Sequence, residues 1–172
     1  MHYKEIVPFI ILCGFSTITL SEECYNSPKS ETPSKRFEGK APGTVFDTKT
    51  GLTWARCALG MKWEEGRCKN LPSRMTWNEA DAVALEINQK NGYAGFSDWR
   101  LPTHEELSSL TEKQCYKPAT NYEIFPDTPS TGFWTSSGDS RYGQSAWLVY
   151  FRNGSSYMGN HEYGWAVRMV RK

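Results

Sequence analysis

Net charge is nearly absent from this chain. Its 20 Lys and Arg balance 19 Asp and Glu, leaving +1 over 172 residues. No global field therefore draws in nucleic acid or a membrane surface. Long apolar runs are missing too: the longest, residues 6–20, is shorter than the roughly 20 residues a membrane span needs. No cysteine pair stands at C-x-x-C spacing and there are three histidines, so a structural zinc site has no ligand set. The zinc-protease pattern His-Glu-x-x-His does not occur. Nor does Gly-x-Ser-x-Gly: Gly154-Ser155-Ser156 lacks the second glycine and any partnered His in a plausible order. Repeats and low-complexity tracts are also absent. These gaps leave one domain with no metal, no cofactor and no catalytic residue expected.

What is present begins at the N-terminus. Lys4 precedes the 6–20 run, whose length suits the apolar region of a secretory signal. Thr19 and Ser21 supply small residues for cleavage near Ser21. Leu12 precedes Cys13 and Glu23 precedes Cys24, so neither cysteine sits in a small-residue lipidation box. The expectation is a signal peptide over 1–21, no membrane span after its removal, and a secreted, periplasmic or cell-surface product. Export then makes the cysteines legible. Cys24, Cys57, Cys68 and Cys115 remain, an even number in an oxidising compartment. Four cysteines allow three connectivities. Cys57 with Cys68, around Gly60 and Gly66, is the shortest closure, and Cys24 with Cys115 would then tie the N-terminal arm to the body.

Residues 22–43, rich in Ser, Pro, Lys, Glu and Gly, read as an extended arm. Order resumes in a domain over 44–172. Thr44-Val45-Phe46-Asp47 and Leu52-Thr53-Trp54-Ala55-Arg56 flank a turn and predict a hairpin. The 57–68 loop holds Trp63. Trp77, Ala80, Val83, Ala84 and Ile87 recur at helical spacing behind a Thr76 cap, with Asn91-Gly92 as the stop. Leu107 and Leu110 mark the buried side of a shorter helix after Thr103. The stretch around Cys115, between Leu110 and Phe133, reads as irregular, broken by Pro118 and Pro126. The final third is strand-like: residues 133–137, 146–151, a turn at Arg152-Asn153-Gly154-Ser155, a return through 156–158, and a last strand over 165–170. Asn153-Gly154-Ser155 also matches a glycosylation sequon, but a hairpin turn explains it more simply. Trp54, Trp77, Trp99, Trp147 and Val167 are expected in one core. Aromatics make up 14% of the chain, a surplus that serves core and contact surface alike.

The densest stretch is Gly95-Phe96-Ser97-Asp98-Trp99-Arg100-Leu101-Pro102-Thr103-His104-Glu105-Glu106-Leu107. Thr103 and Glu106 form a capping box, as do Thr76 and Glu79 in Thr76-Trp77-Asn78-Glu79. Asp98 and Arg100 read as scaffold, the Asp or turn carbonyls supplying acceptors for a semi-buried guanidinium. His104 and Glu105 beside the cap are expected to be structural, Glu105 being favoured by position in the helix's first turn. With Gly51-Leu52-Thr53-Trp54 and the closing Val167-Arg168-Met169-Val170-Arg171, these landmarks resemble the Lcl C-terminal domain family from about Gly43 onward. That family is named for a bacterial collagen-like adhesin. The resemblance implies an α+β, C-type-lectin-like fold with paired terminal strands, two helices, long loops and disulfide staples. It also implies an adhesin-like binding role. The naming adhesin recognises sulfated glycosaminoglycans and is trimeric, though this chain has no Gly-x-y repeat to build a trimeric stalk. The calcium loops of many C-type lectins, Glu-Pro-Asn or Gln-Pro-Asp followed by Trp-Asn-Asp, are not matched. Phe125-Pro126-Asp127 lacks the amide or carboxylate, and Leu148-Val149 follow Trp147. Formylglycine-generating enzymes share the broader fold but need late cysteines, and none follows Cys115.

Residues 138–163 are the binding candidate. Tyr, Ser, Gly and Asn mix rigid amphipathic rings with short hydrogen-bonding groups, as adaptable binding loops do. The candidate ligand residues are Arg141, Tyr142, Arg152, Asn153, Tyr157, Asn160, His161 and Tyr163. Arg141 and Arg152 would carry charge, while Tyr142 and Tyr157 would offer stacking faces. The functional expectation is a non-catalytic module for an extracellular glycan. The alternatives are a protein ligand, as in retroelement-diversified lectin-like proteins, and an enzyme concealed in the fold.

Overall fold

The computed structural model describes residues 23–24, 31–138 and 143–172. Strands dominate. The backbones of β1 (Glu23–Cys24) and β7 (Cys115–Tyr116) pair, with Cys24 opposite Cys115. β2 (Phe37–Gly39), β3 (Thr44–Asp47), β4 (Leu52–Ala55) and β11 (Val170–Arg171) form a four-stranded antiparallel sheet in the order β11-β4-β3-β2. β5 (Lys62–Glu64) and β6 (Arg67–Lys69) make a small ribbon, and β8 (Gly132–Gly138), β9 (Ser145–Tyr150) and β10 (Ser155–Asn160) a three-stranded meander. The helices are α1 (Trp77–Lys90) and α2 (His104–Ser108).

Local chemistry sets the boundaries as the sequence predicts. Both helices open on complete capping boxes: Thr76 with Glu79, and Thr103 with Glu106. In the β3–β4 turn, Asp47 accepts from the Lys49 N–H at 3.0 Å and from the Thr50 hydroxyl at 2.7 Å. Such side-chain acceptance is what favours Asp at turns. Gly51, at φ 72°, closes the turn. The Cys57–Cys68 disulfide is present, 5.5 Å between Cα atoms, and Cys115 is also disulfide-bonded.

Packing explains where the sequence pattern misleads. Within the three-stranded sheet β8 and β9 are buried on both faces while β10 stays largely exposed, so neighbouring residues along β8 and β9 face opposite ways into two clusters. Phe133, Val149 and Phe151 join Leu107, Leu110, Phe37, Val45, Trp54 and Val170. Trp134, Ala146 and Leu148 join Ala80, Trp99, Leu101, Val167 and Met169, with Trp77 at the margin. The single core expected for five residues is thus two. Trp54 lies apart from Trp99 and Val167, and half-buried Trp147 is in neither, stacking on His104 with ring centres 4.9 Å apart.

The last strand is also shorter than expected. Residues 165–169 change partners at nearly every step: Trp165 bonds Met75, Ala166 bonds Gly132 and Trp134, Val167 accepts from Leu59, and Met169 accepts from Ala55. Only Val170–Arg171 runs as a ladder, and it pairs with β4, so the last strand of the domain lies against its opening hairpin. The segment before residue 43 is tied down along 31–39. Arg36 is buried and forks onto Asp47, Glu112 accepts from the Glu31 and Thr32 N–H groups (both 3.0 Å), and β2 edges the sheet.

Candidate functional site

The β9–β10 connection is residues 151–154, longer than a two-residue turn. Asn153 and Gly154 N–H both reach the Tyr150 carbonyl. Gly154 adopts φ 74°, which its missing side chain permits. Phe151 is buried and pins the loop. The Phe151 and Arg152 carbonyls accept from the Ala119 and Lys117 N–H groups at 2.6 and 3.0 Å, which docks residues 115–119 beside the turn. Tyr116 and Lys117 therefore arrive next to Arg152. The Arg152 Nε donates to the Tyr116 hydroxyl at 2.8 Å, an interaction that holds the arginine pKa above its ordinary value. Lys117 Nζ lies 5.1 Å and the Arg152 guanidinium carbon 5.7 Å from the Tyr116 ring centre, within reach of a cation–π attraction. On β10, Tyr157 is 49% exposed and meets Tyr150 edge-on at 5.9 Å. Hydrogen bonding with the Asn153 and then the Ser155 side chains holds its phenol below the usual value. Two cations and three tyrosines share this corner.

The remaining candidates lie elsewhere. The length of β10 separates Arg152 and Asn153 from Asn160. At the usual rise of a strand, that is roughly 17 Å. At that far end His161 bonds the Gln144 carbonyl through its N–H (2.9 Å) and stacks flat on Trp77 at 4.5 Å, so it serves packing between β10 and the start of α1. Asn160 shapes the turn by accepting the Glu162 N–H at 2.9 Å, and Tyr163 stands 65% exposed beyond it. Arg141 and Tyr142 lie outside the described residues. Arg152, Asn153 and Tyr157 are brought together; Asn160, His161 and Tyr163 form a second group. Tyr116 and Lys117 escaped the sequence reading because their contacts to the turn are long-range and leave no spacing signal, whereas Tyr150 sits locally at the end of β9 and read simply as strand.

Two sequence readings change. Ser156 does have a histidine partner: its hydroxyl lies 2.7 Å from His104 Nε2. The chain order gave no hint of it, because the two residues are 52 positions apart and only the fold brings them together. Glu105 is 4.0 Å from His104 Nδ1 and its side chain is 84% exposed, so no carboxylate fixes that imidazole by a hydrogen bond. The pair joins α2 to the sheet. Arg100, in turn, is exposed rather than semi-buried; its fork grips Glu106 at 2.7 and 2.8 Å rather than Asp98, while the expected carbonyl acceptor is supplied by Leu101 at 3.0 Å. Glu106 is held below the usual carboxylate range first by Arg100, then against burial by the Thr103 N–H. Asp98 bonds Arg171 at 2.5 Å, which lies over the Phe96 ring.

The model of the Lcl C-terminal domain family matches residues 43–171, and the chain belongs to that family. The match opens at the strand pairing of Gly43 with Arg56 and closes in β11, spanning both helices and the site corner. No curated protein matches the chain significantly. Among the described residues, no helix is long and apolar enough to cross a membrane, and no group of three or more His, Cys, Asp or Glu could hold a metal ion.

Proposed function

We propose that this domain is a non-catalytic binding module, built on a C-type-lectin-like plan, that acts outside the cytoplasm. Its target is an anionic glycan of the sulfated glycosaminoglycan type. The observation that carries this reading is the corner at the β9–β10 turn, where Arg152 and Lys117 stand among Tyr116, Tyr150 and Tyr157. Arginine can donate two parallel hydrogen bonds to a sulfate or carboxylate, and tyrosine offers a flat, amphipathic face to a sugar ring. Membership in an adhesin-named family supports the same reading. So do the disulfides, which suit an oxidising compartment. With a net charge of +1 the attraction is local, so affinity is modest and falls as salt rises from low to physiological strength.

Retention of the oxidised protein on a heparin column tests this. Substituting Arg152 and Lys117 together by Ala should abolish retention while leaving the melting temperature within a few degrees. Retention that survives the double substitution, or is absent from the wild type, transfers the reading to a protein ligand.

A further inference from the structure

We infer that β10 is an interface, through which two copies of this chain join edge to edge, antiparallel, about a two-fold axis at Tyr157. The inference uses the sheet edge rather than the cationic corner and does not rest on the glycan reading. It starts from backbone groups without partners. β9 lies between β8 and β10, and no strand lies beyond β10 among the described residues. In an antiparallel pair, opposed residues alternate between exchanging both backbone hydrogen bonds and exchanging none. The His161 N–H donates to the Gln144 carbonyl at 2.9 Å, and that pair continues the β9–β10 register one step beyond Asn160 and Ser145. Counting back in twos, Gly159, Tyr157 and Ser155 bond β9, while Ser156, Met158 and Asn160 turn their backbone groups outward. The other side of β9 agrees: Phe151 and Trp147, in the alternate set, bond Thr131 and Thr135 on the β8 side.

The Asn160 carbonyl accepts from the Tyr163 N–H at 3.1 Å, but no hydrogen bond among the described residues reaches the backbone N–H and C=O groups of Ser156 and Met158. Sheets ordinarily guard such an edge with lysine, proline or a bulge. Ser155-Ser156-Tyr157-Met158-Gly159-Asn160 carries no charge and no proline, and its register on β9 is unbroken. Its two large side chains both face solvent, Tyr157 at 49% exposure and Met158 at 38%.

A second copy is the occupant these groups fit. With Met158 opposite the partner's Ser156, every free N–H and C=O of Ser156 and Met158 on both strands gains a partner, and the occupied Asn160 carbonyl is not needed. The same register sets Tyr157 opposite the partner's Tyr157. That position exchanges no backbone bonds and brings side chains closest, which suits an aromatic pair. Exposed Arg152 and exposed Glu162 stand equally far before and after the axis, so opposite charges come level at both rims. Each contact occurs twice, and the assembly closes at two copies. One strand of contact is a small interface, so the dimer is weak rather than permanent.

Sedimentation equilibrium of the oxidised full chain, with no glycan present, tests this. The mass should rise from one copy towards two between about 10 µM and about 1 mM, with a Kd on the order of 100 µM. Met158→Pro removes an outward N–H while sparing the bonds to β9, and should weaken the dimer by about tenfold or more. Tyr157→Cys should be captured as a disulfide-linked dimer under mild oxidation, because opposed residues of this kind lie about 4.5 Å apart. Ser155→Cys should not, because its two copies would stand about 13 Å apart along the strands. A chain that stays monomeric at about 1 mM, a trimer, a dimer that Met158→Pro leaves unchanged, or equal cross-linking of the two cysteine variants would each overturn the inference. Were Met158→Pro not to fold, Tyr157→Lys, which opposes two cations at the axis, should weaken the dimer to a similar extent, and an undiminished dimer would overturn the inference instead.

Discussion

Replacing Asp47 with Asn tests the link between residues 31–39 and the domain body. Asp47 is fully buried, and its carboxylate takes the Arg36 fork through Nε (2.7 Å) and Nη2, plus the Lys49 N–H and the Thr50 hydroxyl. Asn has the same shape but no charge, so Arg36, itself buried, is left uncompensated. Breaking one side of such a pair costs about 3–5 kcal/mol. At about 4 °C per kcal/mol, the melting temperature should fall by about 12–20 °C. Urea unfolding monitored by Trp fluorescence, with disulfides intact, gives the free energy. Adding Arg36→Met should recover part of the loss, because the double variant buries no lone charge.

The pH dependence supplies a second readout of the same pair. Burial pushes the Asp47 carboxyl up, but the Arg36 hydrogen bonds, the Thr50 and Lys49 donors and the arginine charge together outweigh it, leaving the folded pKa below its ordinary value. A carboxylate with a depressed folded pKa stabilises fully above its unfolded value of about 3.9. The contribution fades as pH falls through the folded pKa. The gap between wild type and Asp47→Asn should therefore be flat from about pH 5 to 8 and close below about pH 4. A loss under about 1 kcal/mol at neutral pH, or a gap that persists unchanged in acid, would refute the argument.

The Trp99 ring is 2% exposed and donates to the Tyr93 carbonyl at 2.9 Å. Trp99→Ala should therefore destabilise by about 3–5 kcal/mol. Half-buried Trp147→Ala should cost about half as much, and equal losses would contradict its placement outside the buried clusters. Under non-reducing conditions Cys57, Cys68 and Cys115 should resist alkylation, and mass mapping that finds any of them labelled would remove the corresponding bridge. Thr103→Ala should cost about 1 kcal/mol through its lost cap. Arg100→Ala should cost no more than about 1 kcal/mol, because its pair with Glu106 lies at the surface; chemical unfolding of the two variants checks both.

Short-range chemistry made part of this protein legible from its residues alone. Capping boxes, the Asp47–Gly51 turn and the Cys57–Cys68 loop depend on groups within a dozen residues of one another, so spacing is enough to find them. The family followed from such landmarks in fixed order. Tertiary structure alone decided which apolar face meets which. β8 and β9 are covered on both sides while β10 is not, and alternation cannot tell a one-sided strand from a two-sided one. Residue type alone puts Trp54 and Trp99 in a single core, where the fold holds two. It also decided the sites. Tyr116 reaches Arg152 and His104 reaches Ser156, across 36 and 52 residues of chain. Contacts of that range are set by how the sheets stack, and a linear pattern carries no record of it.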